Sequence, residues 1–394
     1  MTRALDGITV VSLEHAIAAP FATRQLADLG ARVIKVERPG VGDFARAYDE
    51  RVRGMASHFV WTNRSKESLT LDVKHPKARE ILQRLILEQA DVVVQNLAPG
   101  AAARLGLSYQ ELAAQKPSIV VCDISGYGGD GPYRDRKAYD LLIQSEAGFV
   151  SVTGTEETPS KAGASIADIA AGMYAYSNIL AALIARGRDG RGRHIDVSML
   201  ESLVEWMSYP MYYTFDGAAP PARTGAEHAT IYPYGPFEAG DGGVVMLGLQ
   251  NEREWAVFCD KVLERPALAR DERFASTSAR SAHRAELKAL ILEAFASMSA
   301  AEVAQRLDAA QIANARVNTM EQVWEHPQLR ARDRWRDVGS PVGAIPALLP
   351  PGIGAAGDAR MDPIPALGEH TDAILADLGF APRAIAALRA EGAI

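Results

Sequence analysis

The first part of the chain alternates short apolar runs with segments of helical period. Residues 8–13 and 32–36 are short runs rich in Val and Ile, which is typical of buried strands. Between them, residues 20–30 carry apolar side chains at helical spacing. A strand, a helix and a second strand in this order predict parallel pairing through a right-handed crossover.

The same alternation continues to about residue 125. A helix is predicted over residues 75–90, with Pro76 near its start, where proline is favoured. Strands are predicted at 91–94 and 118–124, with a short helix at 109–115 between them. Repeated units of this kind predict an α/β fold built on an open, doubly wound, Rossmann-like parallel sheet.

After residue 140 the pattern becomes helical. Residues 166–186 are Ala-rich and mostly apolar, which predicts a helix buried between other elements. A short strand at 194–197 precedes a helix predicted from residue 199 to about 215. The stretch 216–223 contains Gly and Pro and is the best candidate for a linker.

A second unit is predicted from residue 224 to 323. It begins with a hairpin-like pair of strands at 235–238 and 243–247, joined by a Gly-containing turn. Three helices are predicted after the hairpin, at 252–263, 285–298 and 300–309. The last 70 or so residues are rich in Pro and Gly until a helical stretch begins at Thr371.

Composition and charge narrow the possible functions of the 394-residue chain. Its net charge is −7, so it has no overall basic field of the kind that nucleic acid or an anionic membrane needs. Cys122 and Cys259 fit no metal or redox spacing, and no metal site is predicted. We expect neither a secretory signal nor a membrane-spanning segment, and therefore a cytoplasmic protein.

The junction after the first strand, residues 14–20, is where an open sheet could bind a nucleotide. It lacks the glycines that bring the backbone close to a pyrophosphate, which counts against NAD or FAD. Cationic residues nevertheless follow several predicted strands or lie in nearby loops: Arg38, Lys74, Arg104 and Lys137. Each of these residues alone is more simply interpreted as a solvent-exposed surface charge. Together they could bind the negatively charged phosphates of coenzyme A.

Two further polar residues can each be interpreted in two ways. Asn96 follows a strand and could bind a ligand oxygen. On the residues alone, the preferred interpretation is that its side chain forms an Asx-turn before Pro99. Asp168 is a lone carboxylate in an apolar run near a helix start. It could be the N-cap, which spacing alone favours, or a nucleophile whose anion the helix dipole stabilises.

Taken together, these motifs resemble family III CoA-transferases, the formyl-CoA/carnitine-CoA transferase-like or CaiB/BaiF family. The resemblance runs through nearly the whole chain in the expected order. It is carried by residues 18–20, 26–43, 63–72, 91–97, 99–100, 125–128, 131–133, 138–140, Asp168, 196–201 and 368–371.

The resemblance implies a catalytic role for Asp168 and a backbone lining of the active site by Ala16 and Ile17. Many members carry Gln at the position of Ile17, so a side-chain amide is absent here. Coenzyme A or acyl-CoA would be a substrate, with no permanently bound cofactor. The residues implied to contact it are Arg38, Lys74, Asn96, Arg104 and Lys137.

The family's architecture implies a large Rossmann-like domain built from both chain ends, residues 1–215 and 324–394. The small domain would comprise residues 224–323, and two chains would interlock as an obligate homodimer. The implied reaction moves coenzyme A from an acyl-CoA to a carboxylic acid through a mixed anhydride and an aspartyl-CoA thioester. The chain most resembles members that use succinyl-CoA with mesaconate, itaconate or citramalate.

Four residues are candidates for the substrate pocket: His15, Tyr48, Tyr139 and His228. Tyr48 and His228 could equally pack at a domain edge. The nearest rival function is an α-methylacyl-CoA racemase, in which a His base occupies the position of Tyr139. A tyrosine with a pKa near 10 is a poor base at neutral pH, which favours the transferase. A non-catalytic acyl-CoA-binding protein and an enzyme that moves CoA between two carboxyl groups of one substrate also stay open.

Overall fold

The structure is a computed structural model that describes residues 2–354 and 357–394. The chain divides into two compact units. The first unit comprises Met1–Gly148, Ala162–Ser208 and Pro327–Ile394, and the second comprises Phe149–Lys161 and Tyr209–His326.

This division differs from the predicted one at residues 149–161, 209–215 and 324–326, which were placed in the large domain but belong to the second unit. The segment 149–161 belongs there because Arg223 donates hydrogen bonds to the carbonyl groups of Ser151, Thr155 and Glu156. The backbone N–H of Gly225 also donates to the carbonyl of Gly154. These bonds tie the segment to the beginning of the second unit.

A six-stranded sheet forms the centre of the first unit, and all of its strands are parallel. Their order is β3-β2-β1-β4-β5-β6, so the direction of winding reverses between β1 and β4. The second unit has an antiparallel sheet of β7, β8 and β9, and β10 pairs with β11 in the first unit. The strands are β1 Thr9–Leu13, β2 Arg32–Glu37, β3 Lys66–Thr70, β4 Val92–Gln95, β5 Val120–Ser125, β6 His194–Ser198, β7 Tyr234–Glu238, β8 Val244–Gly248, β9 Asn314–Arg316, β10 Trp335–Val338 and β11 Ile345–Leu348.

The helices alternate with the strands in the first unit and dominate the second. Short 3₁₀ turns occur at Phe44–Ala47, Phe215–Gly217 and Pro266–Arg270, and a π-helical turn at Phe258–Val262. The α-helices are α1 Ala18–Asp28, α2 Ser57–Thr62, α3 Pro76–Gln89, α4 Ala101–Arg104, α5 Tyr109–Gln115, α6 Asp140–Glu146, α7 Phe149–Val152, α8 Ile166–Asp189, α9 Met199–Trp206, α10 Ser208–Tyr213, α11 Glu252–Val257, α12 Thr277–Ala282, α13 Arg284–Phe295, α14 Ala300–Ala309, α15 Met320–Trp324, α16 Pro327–Ala331, α17 Thr371–Asp377 and α18 Pro382–Ala390.

The predicted strands of the parallel sheet and the helices between them are confirmed within a few residues. The single helix predicted from residue 199 to 215 is wrong, because the structure has α9 and α10 with a break at Met207. Pro210 has no N–H to donate to the carbonyl of Trp206, so the ladder of hydrogen bonds stops there. Strand β3 was missed because a lysine and a glutamate begin it.

Each unit has its own hydrophobic core. In the first unit, α3, α17 and α18 pack against one face of the sheet, so the end of the chain completes a core begun by β1. Helix α8 packs against α1, α9, β5 and β6. In the second unit the core gathers around aromatic residues such as Trp255, Phe258 and Phe295.

Within the described ranges, one helix, α8, is long and apolar enough to cross a membrane by length and composition. No segment with the length and composition of a membrane-spanning helix was expected from the sequence, and α8 corrects this expectation. Its contacts with α1, α9, β5 and β6 instead identify α8 as a core helix of the first unit.

Candidate active site

The turn between β1 and α1 lies at the point where the winding of the sheet reverses, which is where open α/β sheets bind ligands. Asn96, just after β4, holds this turn from the side. Its Oδ1 accepts the N–H of His15 at 2.8 Å, and its Nδ2 donates to the carbonyl of His15 at 2.9 Å. The Asx-turn interpretation of Asn96 is therefore wrong, because its side chain bridges two strand ends.

The same turn is also held by a buried carboxylate. Asp43 Oδ1 accepts the N–H of Ala16 at 3.2 Å and that of Ala45 at 2.9 Å. Ala16 has a φ of 60°, a left-handed conformation that residues other than glycine seldom adopt. Ala16 was expected to line the active site with its backbone, but its N–H is directed at Asp43. Ile17 as a backbone donor stays a prediction.

Helix α8 brings Asp168 to the beginning of α1. The N-cap position of α8 is occupied by Ser165, so the interpretation of Asp168 as the N-cap is wrong. The unpaired N–H groups of the first turn are satisfied from α6, since Asp140 Oδ1 accepts from Ala167 at 2.8 Å and from Asp168 at 3.4 Å. The side chain of Asp168 is thereby left available for other partners.

The Asp168 carboxylate is half-buried. Burial and then the charge of Asp140 raise its pKa to about 7, although the nearby backbone N–H of Ala18 favours the anion and opposes the shift. A carboxylate with a raised pKa is more basic than an ordinary one. Near neutral pH the group is therefore partly ionised and has greater nucleophilic character.

One predicted pocket residue, Tyr48, lies within electrostatic range of this carboxylate. Burial, followed by the charges of Asp43 and Asp168 and by Tyr139, raises the pKa of Tyr48 to about 12. Tyr48 therefore stays protonated at neutral pH and can donate a hydrogen bond. Tyr139, the other predicted tyrosine, is near Tyr48.

Four aromatic or imidazole side chains contact one another in series, with Tyr48 among them. His15 stacks on Phe44 with ring centroids 5.3 Å apart, and Phe44 contacts Tyr48 at 5.7 Å. Tyr48 in turn meets His58 edge-on at 5.4 Å. Phe44 and His58 are site residues that the sequence did not indicate, because neither lies in a motif with a chemical signature.

Comparison with known proteins identifies the family. A family model described as CoA-transferase family III matches residues 5–371. The chain belongs to this family.

Individual relatives cover almost the whole chain. A succinate–glutarate CoA-transferase of Agrobacterium fabrum is 35% identical over 95% of each chain. A succinyl-CoA:mesaconate CoA-transferase of Haloarcula hispanica is 31% identical over 95% of this chain and 96% of the relative. The crystal structure of a CaiB/BaiF family protein from Brucella suis has a TM-score of 0.83 and 35% identity, covering 96% of this chain and all of that one.

The protein is thus a family III CoA-transferase, an enzyme class that uses acyl-CoA as a substrate. Its predicted cationic ligands for coenzyme A are all exposed: Arg38, Lys74, Arg104 and Lys137. Arg38 directly follows β2 and is close enough to His15 to contribute, after burial, to lowering the pKa of that imidazole. Contact of these four residues with coenzyme A stays a prediction.

Lys137 has a distinct setting in this CoA-transferase. It lines an open cavity of about 520 Å³ together with Tyr127, Arg136 and Glu146. Arg38 and Lys74 follow β2 and β3, whose carboxyl ends lie at the same edge of the parallel sheet as the β1–α1 turn. Arg104 is the last residue of α4, the helix that comes after β4 in the chain.

His228, the remaining predicted pocket residue, belongs to the second unit of the CoA-transferase. Its ring stacks on Tyr234 at 5.3 Å, and its Nδ1 accepts the N–H groups of Thr230 and Ile231. These contacts give His228 a local structural role. A contact with substrate stays a prediction.

A buried ionic cluster below the β1–α1 turn was missed by the sequence analysis. Lys66 Nζ lies 2.6 Å from Glu14 Oε1, and Lys35 Nζ lies 2.8 Å from Asp43 Oδ2 and 3.4 Å from Glu14 Oε1. Burial lowers the pKa of Lys66 to about 7, although Glu14 opposes this shift. Lys35, a lysine within the apolar run of β2, was the signal that could have revealed the cluster.

Glu37 extends this cluster at the end of β2. Burial would raise its pKa, but hydrogen bonds from Arg46 and the charge of Lys35 outweigh burial and lower the pKa to about 2. Arg46 Nη2 lies 2.8 Å from Glu37 Oε2, and Ser68 Oγ donates to the same oxygen at 2.6 Å. Glu37 is therefore a structural anion here.

Within residues 2–354 and 357–394, no group of three potential metal ligands occurs.

Proposed function

We propose that this enzyme transfers coenzyme A from succinyl-CoA to a C4–C5 dicarboxylate, with Asp168 as the nucleophile. The observation that carries the proposal is the placement of the Asp168 carboxylate. It is half-buried at the beginning of α8, and burial with the charge of Asp140 raises its pKa to about 7. A carboxylate suits this chemistry because its anion attacks without a general base and can leave again.

The proposed first half-reaction has two steps. The Asp168 carboxylate attacks the thioester carbonyl, the C–S bond breaks, and a mixed anhydride forms while CoA thiolate leaves. The thiolate then attacks the Asp168 carbonyl of the anhydride. The C–O bond to the donor breaks, which releases succinate and leaves an aspartyl-CoA thioester.

The second half-reaction reverses these steps with the acceptor. An acceptor carboxylate attacks the aspartyl thioester and expels the thiolate, which forms a second mixed anhydride. The thiolate attacks the acceptor carbonyl, and the Asp168 carboxylate leaves. Charge and protons balance without any external reagent.

Backbone and phenolic donors would stabilise the oxyanions of these steps. The Ala18 N–H already faces the Asp168 carboxylate, so it is placed to bind an oxygen that develops on that group. One well-placed donor of this kind is worth roughly 3 kcal/mol in a transition state. Protonated Tyr48 is a second candidate donor, because it lies close enough to Asp168 for that charge to contribute to its raised pKa.

The choice of substrate follows from the relatives and the sequence resemblance. The relatives named above carry succinate–glutarate and succinyl-CoA:mesaconate in their names. Succinyl-CoA is therefore the proposed donor, and glutarate, mesaconate, itaconate and citramalate are the proposed acceptors. We further propose that the protein is cytoplasmic and forms an interlocked homodimer. Size-exclusion chromatography with light scattering would test whether the protein is a dimer.

A panel of acyl-CoA donors crossed with these acceptors, read by mass spectrometry, tests the function. We expect transfer by the wild type and its loss in Asp168→Ala, with fold and CoA affinity retained. Asp189→Ala is the matched control, because it removes an exposed carboxylate from the other end of α8. Transfer by the Asp168→Ala variant would refute the covalent mechanism.

Three further measurements test the alternative functions. Deuterium wash-in at the α-carbon of an α-methylacyl-CoA, without any acceptor, would support a racemase. Hydroxylamine or borohydride trapping of an aspartyl-CoA adduct separates the transferase from a protein that only binds acyl-CoA. Isotopic labelling of one substrate in a mixture distinguishes transfer between molecules from transfer within a single dicarboxylate.

A further inference from the structure

Gln144 is a fully buried residue of α6 whose side-chain amide makes a hydrogen bond at each of its two atoms. Its Nε2 donates to Asp140 Oδ2 at 2.6 Å, and its Oε1 accepts the N–H of Ala162 at 2.9 Å. Only this orientation of the amide satisfies a carboxylate on one side and an N–H on the other. A buried amide is costly unless it is bonded, so these two hydrogen bonds offset its burial.

The first turn of α8 receives its hydrogen-bond acceptor from outside the helix. The first N–H groups of a helix have no partner within it, and the side chain of the N-cap Ser165 makes no capping hydrogen bond here. Asp140 Oδ1 takes that place, because it accepts the N–H of Ala167 at 2.8 Å and that of Asp168 at 3.4 Å. One carboxylate on α6 therefore caps the turn that carries Asp168.

Gln144 fixes this cap from two sides. Through Asp140 Oδ2 it sets the direction of the carboxylate, whose other oxygen faces α8. Through Ala162 it holds the chain shortly before α8 begins at Ile166. Each step from Gln144 to Asp140, and from Asp140 to the N–H of Asp168, is a hydrogen bond. Loss of the amide would therefore release both the cap and the segment that leads into the helix.

We propose that Gln144 is a positioning residue for the CoA-transfer reaction: it holds the Asp140 carboxylate on the first turn of α8 and thereby fixes the place of Asp168. This inference rests on the proposed function, since it assigns the contact a task in the reaction of Asp168. Gln144 acts through Asp140 and touches no reacting atom in this role. Its loss should slow the reacting step without weakening the binding of substrates.

Gln144→Met tests this role, because methionine is similar in length to glutamine and removes both hydrogen bonds. We expect kcat to fall by about 10- to 100-fold, since displacement of a nucleophile by about 1 Å is sufficient for such a loss, while KM changes by less than about twofold. Hydrogen–deuterium exchange of residues 162–170, measured on the full-length protein without substrate, should become at least about tenfold faster. A residue that only stabilises the fold would lower the melting temperature and leave kcat of the folded enzyme unchanged.

A pair of variants that exchanges the two functional groups provides a second test. Asp140→Asn sets a new amide against that of Gln144, so two donors face each other and their hydrogen bond is lost. Adding Gln144→Glu restores an acceptor for the new amide and for the N–H of Ala162, and the pair again carries one negative charge. We expect kcat of the double variant to be about tenfold above that of Asp140→Asn. These side chains keep nearly the native shape, so the pair serves if Gln144→Met does not fold.

Asp28→Asn is the matched control for a general loss of stability. Asp28 is buried at the other end of α1, where its carboxylate pairs with Arg24 and Arg64. We expect this variant to melt at a lower temperature, with unchanged kcat and unchanged exchange of residues 162–170.

Wild-type kcat or wild-type exchange in the folded Gln144→Met variant would overturn the proposal, as would a double variant no more active than Asp140→Asn. An equal loss of kcat in Asp28→Asn would also overturn it, because the effect would then follow from stability alone. The exchange measurement requires no turnover. A wild-type protein that transfers no coenzyme A would thus refute the proposed function, while the exchange still decides whether Gln144 holds the first turn of α8.

Discussion

The carboxylate of Asp168 is subject to opposing influences that a single residue cannot supply. Burial and the neighbouring Asp140 favour its protonated form, whereas the Ala18 N–H favours the anion. The outcome is a pKa of about 7, well above that of an ordinary aspartate. The pKa of this proposed nucleophile therefore depends on groups on α6 and α1, although Asp168 itself lies on α8.

The pH dependence of the reaction follows from this pKa. The attacking species is the carboxylate, so kcat/KM should rise with pH through about 7 in the wild type. Asp140→Asn removes a negative charge that raises the pKa of Asp168, so the rise should move to lower pH by about one unit. Its side-chain oxygen can still accept from Ala167 and Asp168.

Steady-state rates across pH 5–9, a range of about two units around the pKa of Asp168, would measure this shift. Asp189→Asn, which alters an exposed carboxylate on the same helix, should leave the profile unchanged. A profile for Asp140→Asn that coincides with the wild type would contradict the prediction.

At the scale of elements, the site depends on how closely α8 approaches α1. Gly172 lies one helical turn after Asp168 and makes this approach possible. A Cβ at Gly172 would lie 2.7 Å from the carbonyl oxygen of Ala18 and 2.9 Å from Phe21 Cδ1. The beginnings of the two helices thus approach closely because this residue has no side chain.

Gly172→Ala should therefore impair the reaction more than the stability of the helix. The methyl group would push α8 away from the beginning of α1, and displacement of a reacting group by about 1 Å can cost roughly 100-fold in rate. We expect kcat to fall by about 10- to 100-fold, with little change in helicity by circular dichroism.

Gly187→Ala is the matched control on the same helix. A Cβ there would meet nothing within 4 Å among the described residues. It should stabilise the protein by about 0.5–1 kcal/mol and leave kcat unchanged. Equal activity of the two alanine variants would show that the approach of α8 to α1 does not matter.

At the scale of the whole molecule, the first unit is assembled from segments distant in sequence. Helices α17 and α18, near the end of the chain, pack on the face of the sheet that also carries α3. Thr371 Oγ1 accepts the N–H of Thr70 at 3.0 Å, which fixes the beginning of α17 beside β3. The core that supports the sheet is therefore completed by helices from the end of the chain.

Leu375→Ala tests this dependence. Leu375 is fully buried in the shared core, so its truncation should reduce the free energy of unfolding by about 2–5 kcal/mol. Leu348→Ala, at a leucine that is 39% exposed in β11, should cost much less. Chemical denaturation of both variants provides the comparison, and equal losses would argue against a structural role for the C-terminal helices.

Much of the local structure followed from the sequence, because it depends on neighbours in the chain. The runs 8–13 and 32–36 predicted β1 and β2, and the apolar stretch from residue 166 predicted α8. Pro76 correctly marked the beginning of α3. The family motifs also indicated Asp168, whereas its spacing alone favoured the N-cap position that Ser165 occupies.

The sequence by itself thus determined the order of strands and helices, the family and the identity of the candidate nucleophile. Only the tertiary structure decided what surrounds that nucleophile. Asn96 holds a residue 81 positions away, and Asp140 caps a helix that begins 26 residues later. Hydrogen bonds and desolvation act over a few ångströms in space, so the pKa of Asp168 depends on which distant residues the folded chain brings together.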